Sequence, residues 1–300
     1  MYKILVCDAI DDNALATLQQ EFAVEVKTGM APEELIQTIP PFHCMIVRSA
    51  TKVRQPVIDA ASSLKLIIRG GVGLDNIDVA YAEAKGVTVK NTPRASSNAV
   101  AELAVGYFFA LARHIPKATA TMKQGKWEKK KLKGTEVQDK TLGVLGIGRI
   151  GQMVAQKAMA LGMKVVSFDP FYQESPIPGV TMMAKDDVLK QADYLTLHMP
   201  FIKEQGPVLA AKEFAVMKPG MRLVNCARGG VVDEAALLDA LNSGTVAACA
   251  VDVFASEPGY NRDLVNHDNC IGSPHIGAAT KESQARIGQE LVDIARIELK

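Results

Sequence analysis

The feature that most constrains this chain is an alternation of strand-like and helix-like runs that begins at its third residue. KILVCD is followed by DNALATLQQEF, VEVKT by PEELIQTIP, CMIVRS by QPVIDAAS and LKLIIRGG by DVAYAEAKG, before VTVKNTP closes the series. Parallel strands need a crossover connection, usually a helix, so this order predicts a parallel sheet wrapped by helices. Pro93 breaks the pattern, and Ser97 or Asn98 can then cap a long apolar helix that runs through Phe109 to Arg113, is stopped by Pro116, and is placed as a domain hinge. After the lysine-rich stretch KQGKWEKKKLKGTEVQDK, a second alternating series starts at Thr141: TLGVLGIGRIG, VVSFDP, YLTLHMP, MRLVNCARGG and AACAVDVFASEP. The expected class is α/β, with two doubly wound parallel-sheet domains.

A length of 300 residues accommodates two cores of ordinary size. The last segment, Ala278 to Lys300, carries Ile287, Leu291, Ile294 and Ile297 at helical spacing and is expected to return and cover the first domain. A net charge of +1 gives no global attraction to nucleic acid or to an anionic membrane, and no apolar run reaches spanning length. Five scattered cysteines without a C-x-x-C pair, no zinc-type spacing and no signal-like N-terminus point to reduced thiols in a cytoplasm and to no metal.

Gly146, Gly148 and Gly151 form G-x-G-x-x-G between the strand LGVL and a helix starting near Arg149. One glycine makes the turn, one lets the backbone approach a pyrophosphate, and one lets helix and strand pack closely, with the helix N-terminus facing the phosphates. Alone the motif is weak, because many glycine turns bind nothing. Asp169 ends the next strand, 18 residues beyond Gly151, where a carboxylate accepts from an adenosine ribose. A carboxylate there repels a 2′-phosphate, so NAD is expected over NADP.

Three polar residues lie at strand ends or in the following loops: Arg228 in NCARGG, Glu257 in FASEP and His275 in SPHIGAAT. Singly, each reads as a turn or surface residue. Together with NTPRASSNAVAELAVG and the glycine loop, these contexts resemble the D-2-hydroxyacid dehydrogenases over essentially the whole chain. The resemblance implies a flavodoxin-like substrate-binding domain (residues 1–94 with 276–300) and a Rossmann NAD-binding domain (95–275). It also implies that Arg228, Glu257 and His275 are catalytic. Alcohol oxidation needs a base for the hydroxyl proton while a hydride leaves, and histidine titrates near neutral pH. Glu257 would orient the imidazole and stabilise its protonated form, and Arg228 would clamp a carboxylate with its fork of donors.

Further positions follow from the resemblance alone. Arg149, Ile150, Cys226, Ala227, Asp252, Gly277 and Ala278 would contact cofactor, with Asp252 at the nicotinamide carboxamide; for Cys226 a plain core role is nearly as strong. Arg48, Arg69 and the backbone of Val72 and Gly73 would hold substrate, joined by Lys129 and Lys131 near Trp127. Those lysines, with Lys52 and Arg54 beside Arg48, favour a phosphorylated 2-hydroxy or 2-keto acid, and the apolar hinge helix and Trp127 favour a homodimer. Met199, where a hydroxyl residue often stands, and the segment Lys203 to Ala210 depart from the pattern. A reductase of hydroxypyruvate or glyoxylate, and an NAD-sensing interaction protein, stay open as alternatives.

Overall fold

Along Lys3–Val6 (β1), Ile4 and Val6 enter one apolar cluster, while Leu5 and, just beyond the strand, Cys7 enter another. Successive side chains of a strand point to opposite faces, so the apolar run from Ile4 to Cys7 must be covered on both sides. The computed structural model describes residues 1–300 and divides into two units, Met1–Ser97 with Ala278–Lys300, and Asn98–Gly277.

In the first unit β1 joins Ala23–Val26 (β2), Cys44–Val47 (β3), Leu66–Arg69 (β4) and Thr88–Asn91 (β5) in the order β2-β1-β3-β4-β5, every pair parallel. That is the flavodoxin-like order. Helices Asp12–Glu21 (α1), Pro32–Thr38 (α2), Gln55–Ala60 (α3) and Val79–Ala84 (α4) make the crossovers. Asp11 fixes the start of α1 by accepting from the amides of Asn13 and Ala14.

The second unit takes up helix α5 (Ser97–Arg113) and continues with α6 (Ile115–Lys123) and a 3-10 turn at Lys129–Lys131. Two expectations change here. Ser97 Oγ turns back to Pro93 O and Asn98 Nδ2 reaches Glu102 Oε1, so neither side chain acts as the expected cap. Pro116 opens α6 rather than ending the helical region, because a first-turn proline lacks only an N–H that has no helical partner anyway; the break is His114, in left-handed conformation.

Seven parallel strands follow: Thr141–Leu145 (β6), Lys164–Phe168 (β7), Val180–Met182 (β8), Tyr194–Leu197 (β9), Met221–Asn225 (β10), Val246–Val251 (β11) and Cys270–Gly272 (β12). They are linked through helices Arg149–Ala160 (α7), Lys185–Gln191 (α8), Ala211–Val216 (α9), Glu234–Ser243 (α10) and Arg262–Asn266 (α11). The order β12-β11-β10-β9-β6-β7-β8 is the Rossmann order with one strand added, and its direction reverses between β6 and β9. The last helix, α12 (Lys281–Glu298), returns to the first unit and buries Ile287, Leu291, Val292 and Ala295 with Ile4, Val6, Leu18 and Ile46. Ile294 is only partly covered and Ile297 is exposed, so the buried face of α12 is rotated from the one its isoleucines suggested. No helix is long and apolar enough to cross a membrane.

Candidate active site

All of the motif loops of the second unit leave the carboxyl ends of its strands, where open α/β sheets bind ligands. After β6 the three glycines divide the work as their spacing requires. Gly146 is left-handed (φ 97°), and a side chain there would begin 2.6 Å from His198 O. At Gly151 it would begin 2.0 Å from Gly146 O, so α7 can approach the turn only without one. At Gly148 it would meet nothing within 4 Å, which leaves the N-terminal face of a 12-residue helix open to a phosphate. Asp169, after β7, reaches this loop: its Oδ2 accepts from Ile147 N at 2.8 Å and its Oδ1 from Phe171 N at 2.9 Å. Arg149 and Ile150 are the first two residues of α7. The residues present therefore fit a dinucleotide.

Across the reversal point, the loops after β10, β11 and β12 deliver the catalytic candidates. Asn225, at the end of β10 and buried, accepts from Ala227 N (3.1 Å) and donates to Arg228 O (3.2 Å), which curls the NCARGG loop; Arg228 Nη1 reaches Ala227 O at 2.6 Å. A side chain on Gly229 would begin 1.8 Å from Phe254 O, so this loop lies directly against the one after β11. In that second loop Phe254 N donates to Glu257 Oε1 (3.0 Å) and Ala255 N to Glu234 Oε1 (2.7 Å) in the first turn of α10. Glu257 Oε2 lies 2.8 Å from His275 Nδ1, both side chains partly exposed, and Nε2 is left for proton exchange. Burial pushes the Glu257 carboxyl up, but the hydrogen bonds from His275 and Phe254 N and the charges of His275 and Arg228 outweigh it and hold the carboxyl below its usual range.

Asp252, implied as a nicotinamide contact, is 1% exposed, and its oxygens accept from the chain's own donors: Ser273 Oγ and Ile276 N on Oδ1, Gly277 N on Oδ2. It is the anchor of the loop that bears His275. Cys226 and Ala227 are buried, and burial first, then the Asp252 charge, push the Cys226 thiol up. Ala278 O accepts from Gln284 at the start of α12. Met199, the departure after β9, packs its Cγ 2.9 Å from where a Gly146 side chain would begin, which fills space under the turn. The other departure, Lys203 to Ala210, folds as a turn and a short parallel bridge from Leu209 to Val232.

In the first unit Arg48 follows β3, and its backbone is fixed from both sides: Arg48 N donates to Asp8 Oδ2 at 2.5 Å and Asn76 Nδ2 donates to Arg48 O at 2.7 Å. Arg69 ends β4, and Val72 and Gly73 follow it, with Val72 O accepting from Asn91 Nδ2. Arg54 is paired with Asp78 at 2.7 Å, and Lys131, in the 3-10 turn with Lys129, is paired with Glu128 at 3.0 Å. Both pairs lie at the surface, where an ion pair is weak, so they leave these cations within the basic set read from the sequence. Asn225, Ser273 and Tyr107, whose phenol meets Ser273, were not singled out there; an asparagine closing a strand before a glycine loop was the one signal available for Asn225.

Residues 105–277 match the family described as D-isomer specific 2-hydroxyacid dehydrogenase, NAD binding domain. The hydroxypyruvate reductase of Thermotoga maritima is 45% identical over 296 residues, 97% of this chain and 96% of that protein. The D-3-phosphoglycerate dehydrogenase of Methanocaldococcus jannaschii is 45% identical over 291 residues, 96% of this chain and 56% of that protein, so the chain spans about half of that relative's length. Among solved structures, the D-lactate dehydrogenase of Aquifex aeolicus complexed with NAD and lactic acid superimposes with a TM-score of 0.86 at 26% identity, covering 98% of this chain and 94% of that one. Sequence match, strand order and glycine loop agree: the chain belongs to the D-isomer specific 2-hydroxyacid dehydrogenase family and carries its NAD-binding domain.

Proposed function

We propose that the chain interconverts D-3-phosphoglycerate and 3-phosphohydroxypyruvate, with His275 as the acid–base group, Glu257 as its partner and Arg228 as the group that holds the substrate carboxylate and polarises the adjacent carbonyl. The observation that carries the reading is the 2.8 Å contact between Glu257 and His275, in a loop packed against the one that presents Arg228. NAD, held by Gly146 to Gly151 and Asp169, supplies the hydride acceptor. In oxidation His275 Nε2 takes the hydroxyl proton while Glu257 keeps Nδ1 donating; in reduction the imidazolium returns that proton. Arg48, Arg69, the Val72–Gly73 backbone, Lys129 and Lys131 are proposed substrate contacts, and their basic members supply the attraction for a phosphate.

Identity of 45–46% to D-3-phosphoglycerate dehydrogenases supports this substrate. One observation favours a second reading, reduction of hydroxypyruvate: the Thermotoga reductase is matched over nearly its full length. We further propose a homodimer through the α5 to Trp127 region, where Phe109, Ile115 and Met122 are exposed and Trp127 is 79% exposed, and a cytoplasmic location suited to five free thiols.

The test is a panel of 3-phosphohydroxypyruvate, hydroxypyruvate and glyoxylate, each with NADH and with NADPH, at low and high salt. The reading expects the highest kcat/KM for 3-phosphohydroxypyruvate with NADH, with an advantage over hydroxypyruvate that shrinks as salt rises. A preference for hydroxypyruvate at low salt would transfer the assignment to the reductase reading, and equal use of NADPH would remove the role given to Asp169.

A further inference from the structure

We propose that Tyr107 is a positioning residue for hydride and proton transfer: acting through Ser273 and Asp252, it fixes the loop that carries His275. The inference rests on the assignment of His275 as the acid–base group.

Tyr107 lies in α5, far in sequence from the catalytic loops, and is 7% exposed. For packing alone a phenylalanine would serve, as Phe108 does in the same cluster. A buried hydroxyl needs a partner, and the partner of this one is Ser273 Oγ, two residues before His275. Chemistry sets the direction of the chain of bonds. Asp252 acts as an acceptor on both oxygens, from Ile276 N and Gly277 N at 2.8 Å each, so the Ser273 hydroxyl points its proton at Asp252 and is left to accept from Tyr107. Burial pushes the Tyr107 phenol up to about 12, with the bond to Ser273 pulling the other way and the Asp252 charge adding to the rise, so it stays a donor at neutral pH.

What this chain of bonds holds is an uncommon backbone conformation. His275 is left-handed (φ 54°), a region that few residues other than glycine occupy. The contacts around it are His275 N to Asp252 O (2.9 Å) and to Ser273 O (3.0 Å), and the two amides after it on the Asp252 carboxylate. Ser273 is the member of that set which Tyr107 secures from outside the loop. Loss of the phenolic bond frees the segment just ahead of His275, and small misplacements of reacting groups are costly in rate.

The experiment compares Tyr107→Phe, Ser273→Ala, the double variant and Ser273→Thr with the unmodified protein, measuring kcat and KM for the best keto acid together with NADH affinity and stoichiometry by fluorescence titration. Tyr107→Phe and Ser273→Ala are each expected to lower kcat on the order of tenfold, with NADH affinity within about twofold. The double variant should be no slower than Ser273→Ala, since removing the Ser273 hydroxyl already takes away the acceptor of the Tyr107 bond, and Ser273→Thr, which keeps the hydroxyl, should recover most of the rate. An unchanged kcat in Tyr107→Phe, effects that multiply in the double variant, or a loss of rate matched by an equal loss of NADH-binding sites would overturn the proposal. Should Tyr107→Phe not fold, Tyr107→Met, which also lacks the hydroxyl, is judged by the same criterion. His275→Ala run alongside separates the two levels: a rate retained there defeats the assignment of His275 itself, whereas a rate lost there but kept in Tyr107→Phe defeats only the role of Tyr107.

Discussion

Glu257 keeps its charge in a partly buried loop because its two oxygens are given separate donors, Phe254 N on Oε1 and His275 Nδ1 on Oε2. The carboxylate in turn stabilises an imidazolium, which an amide of the same shape does not do. In the proposed reduction His275 gives up its proton, so Glu257→Gln, which leaves the imidazole without a carboxylate partner, should slow the reaction while NADH binding is kept. An unchanged kcat in that variant would break the assigned pairing. At this scale the sequence was informative through contexts rather than residue types. A histidine after a proline and a glutamate before one are ordinary turn residues, and only NCARGG, FASEP and SPHIGAAT in one order singled them out. Partners fixed by long-range folding were not legible: a reading of charge runs does not find Asp78 beside Arg54, 24 residues away.

Between β9 and the turn at Met199 lies His198, whose carbonyl closes on Gly146 and whose ring is partly buried, with Nε2 at 3.0 Å from Thr196 Oγ1 and Nδ1 buried without a partner. Burial lowers its pKa from 6.5 to about 3. Below pH 6.5 the unfolded chain binds a proton that the folded one refuses, so folding stability is full above that pH and is lost as pH falls towards 3, by on the order of 3–5 kcal/mol in all. His198→Gln, which cannot titrate, should show a flatter fall of Tm over this window in thermal melts; the same slope in both proteins would contradict the account. Elements were legible where periodicity was long. The glycine turn, the start of α7 and the covering role of α12 follow the pattern, whereas β8 and β12, three residues each at the sheet's two edges, are too short to show a period. Pro116 misled for a physical reason: a proline is equally suited to following one helix and opening the next.

For the molecule as a whole, two parallel sheets divide the labour. The first unit is closed by α12, so the two ends of the chain share one core, and the second holds the glycine loop and the loops that carry the proposed catalytic residues. The exposed apolar residues from Phe109 to Trp127 lie in the second unit, and burying them is the reason to expect two copies in solution. Light scattering at micromolar concentration should give twice the chain mass, and Trp127→Asp should shift it towards one; a unmodified chain that scatters as a monomer would refute the dimer. In the proposed mechanism proton transfer by His275 and cofactor binding by the glycine loop are separable tasks. NADH oxidation with 3-phosphohydroxypyruvate, and NADH affinity by titration, measured in the unmodified chain and in His275→Ala, tell the two apart. The rate should fall on the order of a hundredfold to ten-thousandfold with NADH affinity preserved; a near-normal rate in His275→Ala would remove His275 from the mechanism.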